Sequence, residues 1–69
     1  MKLIKGKKYI LRSKKITYDN IKYKYKRTPV SEIVTYVGPE ENKEVFTTER
    51  GTEILILNID VESKIKEIK

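Results

Sequence analysis

The stretch DNIKYKYKRT, residues 19–28, interleaves Lys22, Lys24 and Lys26 with Tyr23 and Tyr25 and then adds Arg27. Ammonium and guanidinium groups bind phosphate oxygens, and a phenol ring offers a flat face on which an unpaired base stacks. Cations alternating with tyrosines are therefore the chemistry of polyanion and single-strand binding. As one extended segment, the stretch turns Ile21, Tyr23 and Tyr25 to one face and Lys22, Lys24 and Lys26 to the other. Two roles stand side by side. In one, Ile21 and the rings cover a core while the lysines solvate an edge and deter edge-to-edge pairing. In the other, the tyrosines are exposed stacking platforms flanked by charge, or the lysines follow a duplex backbone.

Neighbouring cations enlarge the candidate surface. Residues 1–27 hold nine lysines and two arginines against Asp19 alone, net +10, whereas residues 28–62 are net −6 and residues 63–69 net +2, giving the formal +6 of the chain. The residues assigned to binding nucleic acid or an anionic partner are Lys7, Lys8, Arg12, Lys14, Lys15, Lys22, Tyr23, Lys24, Tyr25, Lys26 and Arg27. Affinity built on them must fall with salt, because each neutralised phosphate releases counterions. The acidic middle repels a polyanion, so the molecule is expected to be two-sided. Thirteen lysines against three arginines argue against base-specific readout, for which the bidentate guanidinium is the better tool.

Other chemistries are poorly served. Without histidine or cysteine the usual zinc, haem and iron–sulfur ligand sets are missing, as are disulfides and a thiolate nucleophile. Gly6, Gly38 and Gly51 are isolated, so no phosphate-cradling loop is visible, and Glu40 with Glu41 read as solvated acids of a turn. The expectation is a binding protein without a cofactor, not an enzyme. The cysteine-free composition suits the cytoplasm. The longest apolar run, ILIL at Ile54 to Leu57, is far short of the ~20 residues of a membrane span, and the N-terminus alternates Leu3 and Ile4 with lysines instead of forming a secretory signal.

The elements that must position these residues are short and β-like. At 69 residues, with hydrophobic and charged residues each at 38%, the chain reads as one globular domain, residues 1–69, able to bury roughly 60% of its unfolded surface. The pattern predicts a strand at about Lys8 to Ser13, with Tyr9 and Leu11 on one face, a second extended stretch at Tyr18 to Arg27 and a third at Ser31 to Val37. Ile33, Val34, Tyr36 and Val37 supply both faces of the third, and Tyr36 either enters the core or lines a surface groove. Gly38, Pro39 and Asn42 supply hairpin chemistry, and Gly51 suits a left-handed turn position, so Val45 with Phe46 and Ile54 to Leu57 form adjacent antiparallel strands. ILIL, apolar on both faces, reads as a central strand covered on both sides. In the tail, Val61, Ile65 and Ile68 fall at i, i+4 and i+7 with Asp60 as a cap, which predicts a short helix; a 3₁₀ turn followed by a last strand competes with it.

Five short strands, a long connection after the first, tight turns after Val37 and Glu49 and a terminal helical turn resemble a small SH3-like barrel, which implies a mainly β fold with a short C-terminal helix. A lysine-rich, cysteine-free barrel of this size is also similar to the small chromatin proteins of thermophilic archaea. That resemblance implies a strand face laid on the DNA minor groove, although the absence of Trp and the presence of only three glycines depart from that group.

Two functions follow as expectations. The first is a small basic barrel that binds DNA or RNA with little sequence preference through its N-terminal third. The second is a protein-interaction or inhibitor module, of the kind mobile elements encode, docking its basic face on an acidic or nucleic-acid-binding partner protein. The same opposed charges permit head-to-tail homo-oligomers, between whose protomers a basic pocket would sequester a small nucleotide.

Overall fold

A computed structural model describes residues 1–68. The chain is mainly β, and the described residues form five antiparallel strands in one sheet: β1 Lys8–Asp19, β2 Lys24–Glu40, β3 Lys43–Thr48, β4 Glu53–Leu57 and β5 Ile65–Glu67. A 3₁₀ turn, Asn58–Asp60, and one α-helical turn, α1 Val61–Lys64, connect the last two. The strand order is β4-β3-β2-β1-β5. No helix among the described residues is long and apolar enough to cross a membrane.

One core explains how the sheet is shaped. Tyr9 and Leu11 from β1, Val34 and Tyr36 from β2, Phe46 from β3, Ile56 from β4, Val61 from α1 and Ile65 from β5 are all buried in a single cluster. Residues from both outermost strands meet in it, so the sheet must curl over its own inner face. Tyr9 and Leu11 share that face by the two-residue strand period, as their spacing predicts. Phe46 packs between two tyrosines, edge-on to Tyr9 at 6.4 Å and tilted against Tyr36 at 5.3 Å between ring centres. The N-terminal segment lies over the sheet. The Gly6 amide donates to the Tyr36 carbonyl at 2.9 Å, the Tyr36 amide to the Lys7 carbonyl at 3.0 Å, and the Ile4 amide to the Tyr9 hydroxyl at 2.9 Å.

The two later hairpins form as their turn residues predict, except that Gly38 and Pro39 belong to β2, paired with Val45 and Glu44, so the turn comes after Glu40 and not after Val37. Glu41 and Asn42 form the tight loop between β2 and β3, and Gly51, at φ +86°, takes the left-handed position between β3 and β4, a conformation open to glycine without steric cost. Val37 is the extra residue of a bulge, since Tyr36 faces Phe46 and Gly38 faces Val45.

Three further expectations are corrected. The second and third extended stretches are one strand, β2, of 17 residues, and the first strand continues to Asp19. No long connection follows it, because the four residues Asn20 to Tyr23 turn the chain directly into β2. ILIL is an edge strand rather than the central one: Ile56 is buried and Ile54 half-buried, while Leu55 and Leu57 are exposed at 49% and 38%. The short C-terminal helix expected of the tail is present, as the 3₁₀ turn running into a single α turn over residues 58–64. Ile65 then leaves it to pair with Leu11, so the last strand of the competing reading is present as well, and Asp60 makes no side-chain cap.

Candidate polyanion-binding ribbon

The β1–β2 hairpin outgrows the sheet. β5 covers β1 only from Tyr9 to Leu11, and β3 covers β2 only from Val34 onward. Arg12 to Asp19 and Lys24 to Ser31 therefore pair with each other and with no other strand, in unbroken register from Arg12 against Ser31 to Asp19 against Lys24. Eight residues per strand make a two-stranded ribbon about 25 Å long. From Arg12 to Glu32 no residue is buried. The radius of gyration, 14.0 Å, exceeds the roughly 11 Å of a compact chain of this length, and the longest dimension is 45 Å against 24 and 22 Å. Pro29 lies in the ribbon opposite Lys14. A residue with no N–H to donate is confined to sheet edges, and beyond β2 at that point there is no strand to receive one.

Asp19 fixes the tip. Its Oδ1 accepts from the Ile21 amide at 2.9 Å and from the Lys22 amide at 3.2 Å, and Tyr23 takes a left-handed φ of +54° before β2 resumes at Lys24. Asp19 with Asn20 is turn chemistry, and it interrupts the alternation expected across residues 21–26. Ile21, Lys22 and Tyr23 sit at the tip, with Ile21 and Tyr23 exposed at 89% and 80%. The core-covering role fails, because Ile21, Tyr23 and Tyr25 are all exposed; the rings face solvent as the stacking role requires, although Tyr23 at the tip and Tyr25 in β2 do not share one strand face.

Register and pleat sort the rest. Residues directly opposite one another project to the same side. Arg12 with Ser31, Lys14 with Pro29, Ile16 with Arg27 and Tyr18 with Tyr25 make one face; Ser13 with Val30, Lys15 with Thr28, Thr17 with Lys26 and Asp19 with Lys24 make the other. The first face carries both arginines of the ribbon and an exposed tyrosine pair, whose rings lie 5.1 Å apart at a 54° tilt. The second is a lysine and threonine face.

Of the residues assigned from sequence, Arg12, Lys14, Lys15, Lys22, Tyr23, Lys24, Tyr25, Lys26 and Arg27 come together on this ribbon. Lys7 and Lys8 do not. Lys7 stays on the body, 5.6 Å from the Tyr9 ring centre and 4.0 Å from Glu67, and Lys8 opposes Thr35 within the sheet. Ile16 and Tyr18 were missed. The period-2 run Leu11, Ser13, Lys15, Thr17 against Arg12, Lys14, Ile16, Tyr18 contained them, but its scarcity of apolar residues concealed that β1 continued.

Charge is distributed more sharply than the sequence segments suggest. Between Arg12 and Ser31 seven cations stand against Asp19, net +6, which equals the net charge of the entire chain; the remaining residues carry nine cations and nine acids. Among the described residues the ion pairs are Met1 ammonium with Glu62 and Lys7 with Glu67, so none engages a ribbon cation. Asp19, the one acid on the ribbon, is occupied by the turn amides. β2 begins near the ribbon tip and ends at the acidic turn Glu40–Glu41, which places the two charge signs at opposite ends of a single strand.

A groove on the body is lined by Met1, Leu3, Tyr36, Glu44, Asn58, Val61 and Glu62. Tyr36 answers to both roles expected for it: its ring is buried against Phe46, and its hydroxyl reaches the groove and donates to Glu44 Oε2. Burial, then the bond to Glu44 and its negative charge, push the Tyr36 phenol up to about 12. The groove is acidic and partly closed by the Met1–Glu62 ion pair.

Compared with protein-family models, curated proteins and solved structures, the chain matches none.

Proposed function

We propose that this chain is a small SH3-like barrel that binds DNA or RNA with little sequence preference, and that the projecting β1–β2 ribbon is the element that makes contact. One observation carries this: the whole formal net charge of the protein resides on an extension that buries no residue and whose cations have no acidic partner among the described residues. A ribbon of this kind contributes little to the stability of the fold, since an isolated two-stranded hairpin is marginal in water. Its concentration of unpaired like charge opposes folding through self-repulsion. A polyanion relieves that repulsion. A two-stranded ribbon also fits the width of a nucleic-acid groove, and ammonium groups address phosphate without reading base identity. The strand order, with a helical turn before the last strand, supports the SH3-like assignment of the body.

A second reading, in which the ribbon docks on an acidic partner protein, is favoured by its two open edges, where backbone donors and acceptors are free to pair with an added strand. Fluorescence anisotropy with labelled single-stranded and duplex oligonucleotides at low salt separates the two. Binding that weakens steeply with salt supports the nucleic-acid function. No detectable binding to either probe overturns it and leaves the partner protein.

A further inference from the structure

The two faces of the ribbon are not equivalent, and building on the nucleic-acid reading above, we infer that the Tyr18–Tyr25 face is a stacking platform that selects single-stranded nucleic acid over duplex. The tyrosines of this chain divide cleanly. Tyr9 and Tyr36 are in the core, whereas Tyr18, Tyr23 and Tyr25 are exposed at 48%, 74% for Tyr25 and 80% for Tyr23, all on the ribbon or its tip. Tyr18 and Tyr25 face each other across the two strands, with Ile16 and Arg27 on the next rung and Lys14 on the rung after. Successive same-face rungs are about 6.8 Å apart. An aromatic pair, an aliphatic side chain, a planar guanidinium and an ammonium group thus occupy three consecutive rungs of one face.

Those groups have a common use. Bases already stacked inside a duplex present only their edges, so a phenol face gains nothing from them. Bases of a single strand present their π-faces, on which tyrosine and arginine stack without regard to sequence. The cations needed for the phosphates are in place on the same face, at Arg12, Lys14 and Arg27. Lys15, Lys24 and Lys26 stand behind them with stems long enough to reach round the ribbon edge. The competing account, that the ring pair merely braces the ribbon, draws on the modest stabilisation of cross-strand aromatic pairs. It assigns no purpose to gathering both ribbon arginines on the tyrosine side.

The test uses the intact chain with a short labelled oligothymidylate and a duplex of equal length. With no Trp in the sequence and the tyrosines numbering five, intrinsic emission is tyrosine emission, and three of those rings are the exposed ones. The expected result is tighter binding to oligothymidylate than to duplex, quenching of tyrosine emission at saturation, and upfield shifts of the Tyr18 and Tyr25 ring protons. Replacing both by threonine, a strand former without a ring, should weaken single-strand binding roughly 30-fold, which corresponds to about 1 kcal/mol for each of two stacked bases, and leave duplex binding nearly unchanged. Tyr18→Phe with Tyr25→Phe should retain single-strand binding. Equal affinity for the two probes with unshifted ring protons in the parent overturns the inference while leaving phosphate binding by the ribbon intact, and does so even where the threonine variant frays. No binding to either probe removes the nucleic-acid function and this inference with it.

Discussion

Replacing Lys15, Lys24 and Lys26 with glutamine removes three of the seven ribbon cations and leaves the tyrosine face in place. The consequence for salt dependence follows from counterion release. Each phosphate neutralised on a single strand contributes about 0.7 to the slope of log affinity against log salt concentration. Seven engaged cations set that slope near −5, so affinity falls roughly 900-fold between about 50 and 200 mM salt; four engaged cations set it near −3, for a fall of roughly 50-fold. Anisotropy titrations at several salt concentrations read the slope directly, independently of any error in the absolute affinity. A matched control replaces Lys2, Lys43 and Lys66, which lie on the neutral body, and should leave the slope where it was. The reasoning fails if the control triple flattens the slope as much as the ribbon triple does, because the charge would then act through the net total and not through its placement. It fails equally if the parent slope is near zero.

Four further outcomes are expected. Phe46→Ala should cost about 3–5 kcal/mol in denaturant unfolding, because Phe46 is fully buried between Tyr9 and Tyr36, whereas Tyr25→Ala on the exposed ribbon should change global stability by less than about 1 kcal/mol. Asp19→Ala should free the Ile21 and Lys22 amides, seen as faster hydrogen exchange at the ribbon tip with core amides unaffected. Tyr36 keeps its proton in the fold up to about pH 12 but loses it near 10.0 in the unfolded chain. Its contribution is therefore complete below pH 10 and disappears as pH rises toward 12, so the stability advantage of the parent over Tyr36→Phe should shrink across that window. Gly51→Ala, forcing a side chain onto φ +86°, should lower stability by about 1 kcal/mol.

Much of the body was legible because its determinants are local. Tyr9 with Leu11, Val45 with Phe46, and Gly51 each follow from strand alternation or turn chemistry over a few residues. The ribbon was not, for a physical reason. Its pairs, such as Lys15 with Thr28, have no buried side, so no apolar period marks where the strand continues or which register it takes. The even alternation of Lys22 to Lys26 then disguised the turn that Asp19 and Asn20 announce. Strand placement failed for ILIL because apolarity on both faces reports hydrophobicity, while position within the sheet depends on long-range pairing. The tail carried both of its readings: Val61 starts the short helix as its spacing implies, and the β-branched Ile65, one turn further on, pairs beside Leu11 instead of extending it. For the candidate site, the residue types were evident from sequence and their grouping was not. Which tyrosines face which cations depends on a turn only four residues long.

With net +6 on its protruding arm, net zero elsewhere and acids closing the far end of β2, this 45 Å molecule has a large permanent dipole aligned with its long axis. Near a highly charged rod, such a particle feels a torque as well as an attraction. It rotates arm-first once it comes within about a Debye length, so fewer collisions are wasted on wrong orientations. Added salt should accordingly slow the rate of encounter as well as loosen the complex once formed, and a stopped-flow trace would show the two effects separately.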